Sequence, residues 1–163
     1  GQEFLAKIRG TSDRSGAAMR AAPIGIFPNI EKVINFCTIQ AAITHNSPDG
    51  INAAIAAALM SHYFIYRLGP KTKLGEFLEA HVSGEWSKPW QDKVNTIGWV
   101  CVRAAVTAIM RNDSMSELLR DCIAFTGDVD TVAAIALAAG SCSLEITQNL
   151  PDPLIDTLEN GLY

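Results

Sequence analysis

Phe125-Thr126-Gly127-Asp128-Val129-Asp130-Thr131 is followed at once by Val132-Ala133-Ala134-Ile135-Ala136-Leu137-Ala138-Ala139, a polar turn running directly into an uncharged segment. The second half carries no charge and is apolar on every side, the pattern of a helix buried all round. Two carboxylates and a hydroxyl at the mouth of such a helix need partners, because unpaired buried charge is costly. Asp128, Asp130 and Thr131 offer hard oxygen atoms at close spacing, which suits magnesium or manganese better than zinc. Asp128 as an ordinary N-cap, with Asp130 in the first turn favoured by the helix dipole, fits the same spacing. Spacing alone leaves both readings open.

The surrounding composition points the same way as that helix. The chain has 163 residues, enough for one compact domain with a sizeable core. Hydrophobic residues make up 48% and charged residues only 18%, with heavy use of alanine and little β-branched alternation. Packed helices are therefore expected, and no segment reads as a convincing strand. A net charge of -4 gives no electrostatic footprint for nucleic acid. No apolar run reaches the ~18 residues of a membrane span, and the N-terminus lacks the order of a secretory signal. Cys37, Cys101, Cys122 and Cys142 lie in apolar helical contexts without C-x-x-C spacing, so free thiols in a cytoplasmic protein are expected.

Outward from the central stretch, the punctuation residues divide the chain into helices. Gln2 to Ile8 reads as the tail of a helix stopped by Gly10. Ser15 to Ala22 is a short helix ended by Pro23, and Pro23 to Pro28 a tight apolar turn. Asn29 opens a helix that ends near Thr44-His45-Asn46. Ser47-Pro48 is an N-cap with proline at the first helical position, opening a helix to about Leu68. Leu74 to Val82 and Thr96 to Arg111 are further helices, separated by an irregular stretch from Ser83 to Asn95. Ser114 and Glu117 have capping-box spacing before Leu118. Asp152-Pro153 opens a last short helix ending at Gly161. The fold class is all-α, with no internal repeat.

Other candidate site residues lie at helix ends. Ser15, Gly16 and Met19 sit where a small, polar loop becomes a helix, and free N–H groups there suit an anion such as a phosphate. A plain capped helix, with Gly16 chosen for close packing and Met19 as core filler, explains them equally. Arg20 fits a phosphate or a structural carboxylate. His45 at a helix end suits a ligand contact or a ribose hydroxyl, or simply a structural imidazole. Trp86 and Trp90 would stack on a base or anchor the irregular stretch.

Taken in order, these segments resemble the ADP-ribosylglycohydrolase family. Ser15-Gly16-Ala17-Ala18-Met19-Arg20-Ala21-Ala22-Pro23-Ile24-Gly25 is similar to its G-N-G-x-A-M-R-x-x-P-L-G segment. Ala42 to Pro48 is similar to its T-H segment, and Thr96-Ile97-Gly98 to the start of its late helix. Thr126-Gly127-Asp128-Val129-Asp130-Thr131-Val132-Ala133-Ala134 resembles its G-G-D-T-D-T-x-A-A signature, with Thr126 in place of a glycine and Val129 of a threonine. Leu150 to Leu158 matches its closing segment in character.

The resemblance implies a compact orthogonal helical bundle and a metal-dependent hydrolase that cleaves the glycosidic bond of ADP-ribose conjugates. It implies two Mg2+ ions, or Mn2+, with Asp128, Asp130 and Thr131 as metal ligands. Ser15, Gly16, Met19 and His45 would line the substrate pocket, and the partner would be an ADP-ribosylated protein or a small ADP-ribose conjugate. The family's early G-D and T-D-D-T segments have no counterpart in residues 1–163. The expectation is thus a single helical domain forming the C-terminal portion of a larger one. A catalytically inactive ADP-ribose-binding or structural relative on the same scaffold is the alternative.

Overall fold

The computed structural model describes residue 3 and residues 10–156. The expected helix at Gln2–Ile8 and the end of the last helix, beyond residue 156, lie outside the described residues. Those described fold into α1 (Gly16–Met19), α2 (Ile30–Ala42), α3 (Pro48–Ile65), α4 (Leu74–His81), α5 (Gly98–Arg111), α6 (Met115–Ala124), α7 (Val129–Gly140) and α8 (Pro153–Asp156). Two 3-10 helices, Ala22–Ile26 and Lys71–Lys73, complete the set. β-pairing among the described residues is confined to four isolated bridges.

Local chemistry sets where the helices begin. The Ser47 hydroxyl accepts the Gly50 N–H at 3.1 Å and gives its own proton to Ser12 O at 3.0 Å, tying the start of α3 to the entering chain. Asn29 caps α2 through the Lys32 N–H. The expected capping box at α6 is only half formed. Ser114 accepts the Glu117 N–H, but the Glu117 carboxylate takes the Ser114 hydroxyl proton instead of a backbone N–H. Pro23, expected to end the first short helix and open a turn, instead lies in the first turn of the 3-10 helix Ala22–Ile26, the α-helix having stopped at Met19.

α3 is the axis of the molecule. Its stretch from Ala53 to Phe64 is continuously buried, and α1, α2, α4, α5, α7 and the first 3-10 helix pack around it. Alanine makes that crowding geometrically feasible, since Ala53, Ala54, Ala56, Ala57 and Ala58 let neighbouring backbones approach closely. All four cysteines are free thiols within this packing. No described helix is long and apolar enough to cross a membrane.

α7 departs from expectation. It is not buried all round: Thr131, Val132, Ile135, Ala136 and Ala139 face the core, whereas Ala134 is exposed and Leu137 and Ala138 are half-buried. An apolar run does not require all-round burial when five of its eight residues from Val132 to Ala139 are alanine, which exposes little apolar area.

The turn into α7 is the most constrained backbone of the fold. Thr126 (φ 60°) and Gly127 (φ 87°) are both left-handed. A Cβ on Gly127 would stand 1.9 Å from Val94 O, so only glycine fits. Thr126 occupies a left-handed position with a β-branched side chain, a conformation costing about 1–3 kcal/mol. Glycine there adds only about 0.4–1 kcal/mol of unfolded-state entropy. Thr126→Gly is therefore expected to raise stability by about 1 kcal/mol and Gly127→Ala to lower it by more than about 2 kcal/mol, both read as shifts of the urea midpoint.

Candidate functional site

Three helix starts converge where α7 begins. Gly127 pairs with Val94: Val94 N–H bonds to Thr126 O at 3.1 Å and Asp128 N–H to Val94 O at 3.3 Å. The loop carrying Val94 continues into α5, and residues 13–15 run alongside it, with Ser15 N–H on Thr96 O and Gly98 N–H on Asp13 O. α1 then begins at Gly16. Residues more than a hundred positions apart thereby meet at one corner of the bundle.

The capping role weighed for Asp128 is not what its side chain does. Asp128 holds the N-cap position of α7, yet its carboxylate accepts no N–H from the helix. One oxygen, Oδ2, lies 3.5 Å from Ser15 Oγ, at the long limit for a hydroxyl donor, and 3.6 Å from Cys101 Sγ, an ordinary length for a weakly donating thiol. The Cys101 thiol has a better acceptor in Asn95 O at 3.1 Å. Asp128 is half-buried with its acceptor capacity largely unspent. Asp130, one residue into α7, is exposed. Thr131 is 2% exposed, and its hydroxyl reaches only the weakly accepting Met19 Sδ at 3.5 Å. Among the described residues, no group of three His, Cys, Asp or Glu side chains is gathered within reach of one metal ion.

Gly16, Met19 and His45 join this corner from the other side. Met19 connects α1 to α7 through Thr131 and leaves 42% of its surface exposed. The His45 ring stands over Gly16, where an added Cβ would lie 3.2 Å from Cε1 and 3.4 Å from Nε2. The ring is buried, and that burial, reinforced by the nearby Arg20 charge and opposed by Asp13, lowers its pKa below the usual histidine value. Both burial and the Arg20 charge favour the neutral ring. Among the described residues Arg20 pairs with no carboxylate; its guanidinium bonds Gln40, Thr44 and Gly16 O.

Cys101 escaped notice in the sequence because an apolar helix surrounds it. Burial first, then the Asp128 charge, push its thiol up to about 12, so it is a neutral S–H and no thiolate nucleophile. The tryptophans separate by role. Trp86 is 2% exposed with its Nε1–H on Val82 O, and Trp90 bonds Asp92 O and carries the Arg103 guanidinium 5.4 Å from its ring centre. Both anchor the 83–95 loop. Trp99, in the first turn of α5 and one turn before Arg103, is 36% exposed. It lines a cleft of about 320 Å3 with Asp49, Asn52, Glu85, Trp86 and Arg103.

Comparison with known proteins follows this geometry. ADP-ribosylhydrolase ARH3 of Xenopus tropicalis is 37% identical over 67 residues, a stretch covering 40% of this chain and 19% of that protein. The match thus spans about a fifth of that relative's length. The family profile described as ADP-ribosylglycohydrolase matches residues 2–162, nearly the whole chain. The chain belongs to the ADP-ribosylglycohydrolase family.

Proposed function

We propose that this chain carries part of the site of a metal-dependent hydrolase acting on the glycosidic bond of ADP-ribose conjugates. The observation that carries the reading is the Asp128 carboxylate, which stands at a helix start without capping it and without a close hydrogen bond. Together with the exposed Asp130 and the Thr131 hydroxyl, it is a set of unspent hard oxygens that fits Mg2+ or Mn2+. Asp128, Asp130 and Thr131 would hold the metal; when bound, a pair of such ions orients the ribose hydroxyls and polarises a water molecule.

The chain's own residues supply the rest. Ser15, Gly16 and His45 line the nucleotide side of the corner, with the neutral imidazole beside the small surface of Gly16. Met19 fixes the spacing between α1 and α7. In the reaction, a water oxygen bonds to the ribosyl carbon, the carbon–heteroatom bond to the carrier breaks, and a proton passes to the leaving group. The transition state has oxocarbenium character. Cys101, held as a thiol, takes no nucleophilic part. Trp99, two residues before Cys101 and so on a different face of α5, offers an exposed ring in a cleft that suits the adenine base.

A second reading, an ADP-ribose binder without turnover, draws support from the absence of a third acid beside Asp128 and Asp130 among the described residues. Release of ADP-ribose from a modified peptide by the protein would eliminate it.

Two measurements test the main reading. Millimolar Mg2+ or Mn2+ is expected to raise the melting temperature, and Asp128→Ala with Asp130→Ala to abolish the gain. An identical melting curve with and without metal removes the metal from the proposal. In titration calorimetry with free ADP-ribose, Trp99→Ala is expected to cost about 1–3 kcal/mol of affinity, the worth of one stacked base. Unchanged affinity would move the base elsewhere.

A further inference from the structure

The hydrogen bonds of Arg20 determine more than its own position. Its Nε–H goes to Gln40 Oε1 at 2.7 Å and an Nη1–H to Gly16 O at 3.1 Å. Nη2 donates to Gln40 O at 3.3 Å and to Thr44 Oγ1 at 2.7 Å. A guanidinium only donates, so Thr44 Oγ1 spends a lone pair on it. The same oxygen lies 2.7 Å from His45 Nδ1. Thr44 has one proton to give, and Nδ1 is the acceptor beside it. Were Nδ1 protonated, Oγ1 would face two donors while its own proton had no acceptor among the described residues. Complete pairing requires the reverse: the Thr44 hydroxyl donates to a bare Nδ1, and the imidazole proton sits on Nε2.

We propose that Arg20 is a positioning residue which, through Thr44, holds neutral His45 in the Nε2–H tautomer, so that the ring donates a hydrogen bond to an oxygen of the bound nucleotide. This rests on the ADP-ribose reading for the identity of the ligand, though not for the tautomer. Nε2 lies on the Gly16 side of the ring, which packs so closely there that a Cβ on that residue would stand 3.4 Å from it. A donating Nε2 selects a lone-pair oxygen, from a phosphate or from the sugar. It also removes His45 from the roles of general base and metal ligand at that nitrogen, since both need the lone pair that the proton occupies. The Arg20 charge works in the same direction by disfavouring the doubly protonated ring, against Asp13, the acid that opposes it.

The test is a two-bond nitrogen–proton correlation spectrum of the whole chain labelled with 15N histidine, the His45 signals being identified by their loss in His45→Gln. The wild-type ring is expected in the Nε2–H pattern. Thr44→Val and Arg20→Met are expected to give a tautomer mixture, and Thr44→Ser to restore the single form. Free ADP-ribose is expected to bind roughly tenfold more weakly to Thr44→Val and Arg20→Met, with Thr44→Ser near wild type. An Nδ1–H pattern in the wild-type spectrum overturns the proposal, and this reading does not depend on the Thr44 or Arg20 variants folding. An Nε2–H pattern that persists unchanged in both folded variants removes Arg20 and Thr44 from the role. Wild-type protein that binds no ADP-ribose, yet shows the Nε2–H pattern, defeats the functional reading and leaves the tautomer assignment intact.

Discussion

The backbone pairing of Val94 with Gly127 is the constraint on which the site depends. It holds because Gly127 has no side chain to strike Val94 O and because two successive left-handed residues turn the chain into α7. With that turn in place, Asp128 enters α7 with φ -81° and ψ 55°, not the extended backbone usual for an N-cap. Its carboxylate therefore misses the helix N–H groups and stays beside Ser15 and Cys101. A conventional cap would consume the oxygens that the site requires.

The same corner joins electrostatics to packing. Helix starts carry partial positive charge, and α5 and α7 begin there with the Lys93 side chain alongside Gly127, so developing or resident negative charge is favoured. The cations are kept for structural work. Lys71, almost fully buried, bridges Asn112 O and Asp113, and Arg103 secures the 83–95 loop through Lys88 O and Trp90. Arg20 is the exception: it is exposed, yet every bond it makes bears on α1 or on the end of α2 that carries His45.

Polar groups and small residues divide the labour elsewhere. Alanines of α3 allow six elements to surround one helix, and the core needs few large side chains to fill the gaps. Such close packing leaves little room for relaxation, so the first 3-10 helix is pinned to α3 at Gly25, where an added Cβ would lie 2.5 Å from Ala58 O. Rigid seating of that helix in turn fixes α1, and with it Ser15, Gly16 and Arg20.

Helix starts were legible in the residues themselves. Asn29, Ser47-Pro48 and Ser114 signal by short-range side-chain chemistry that needs no tertiary partner, and the all-α class follows from composition and period. The order of motifs was enough to suggest the family and to single out Asp128, Asp130, Thr131, Ser15, Gly16, Met19 and His45. Long-range proximity was not legible, because it depends on which helix faces meet. Asp128 reads equally as a metal ligand or a cap until the Val94–Gly127 pairing turns its carboxylate away from the helix N–H groups; Cys101 and Trp99 look like ordinary core residues of an apolar helix; α7 looks buried throughout, although neighbours cover one face only. The chemical identity of the donors was written in the chain, while their orientation, down to which nitrogen of His45 holds a proton, was decided by backbone contacts between segments far apart in sequence.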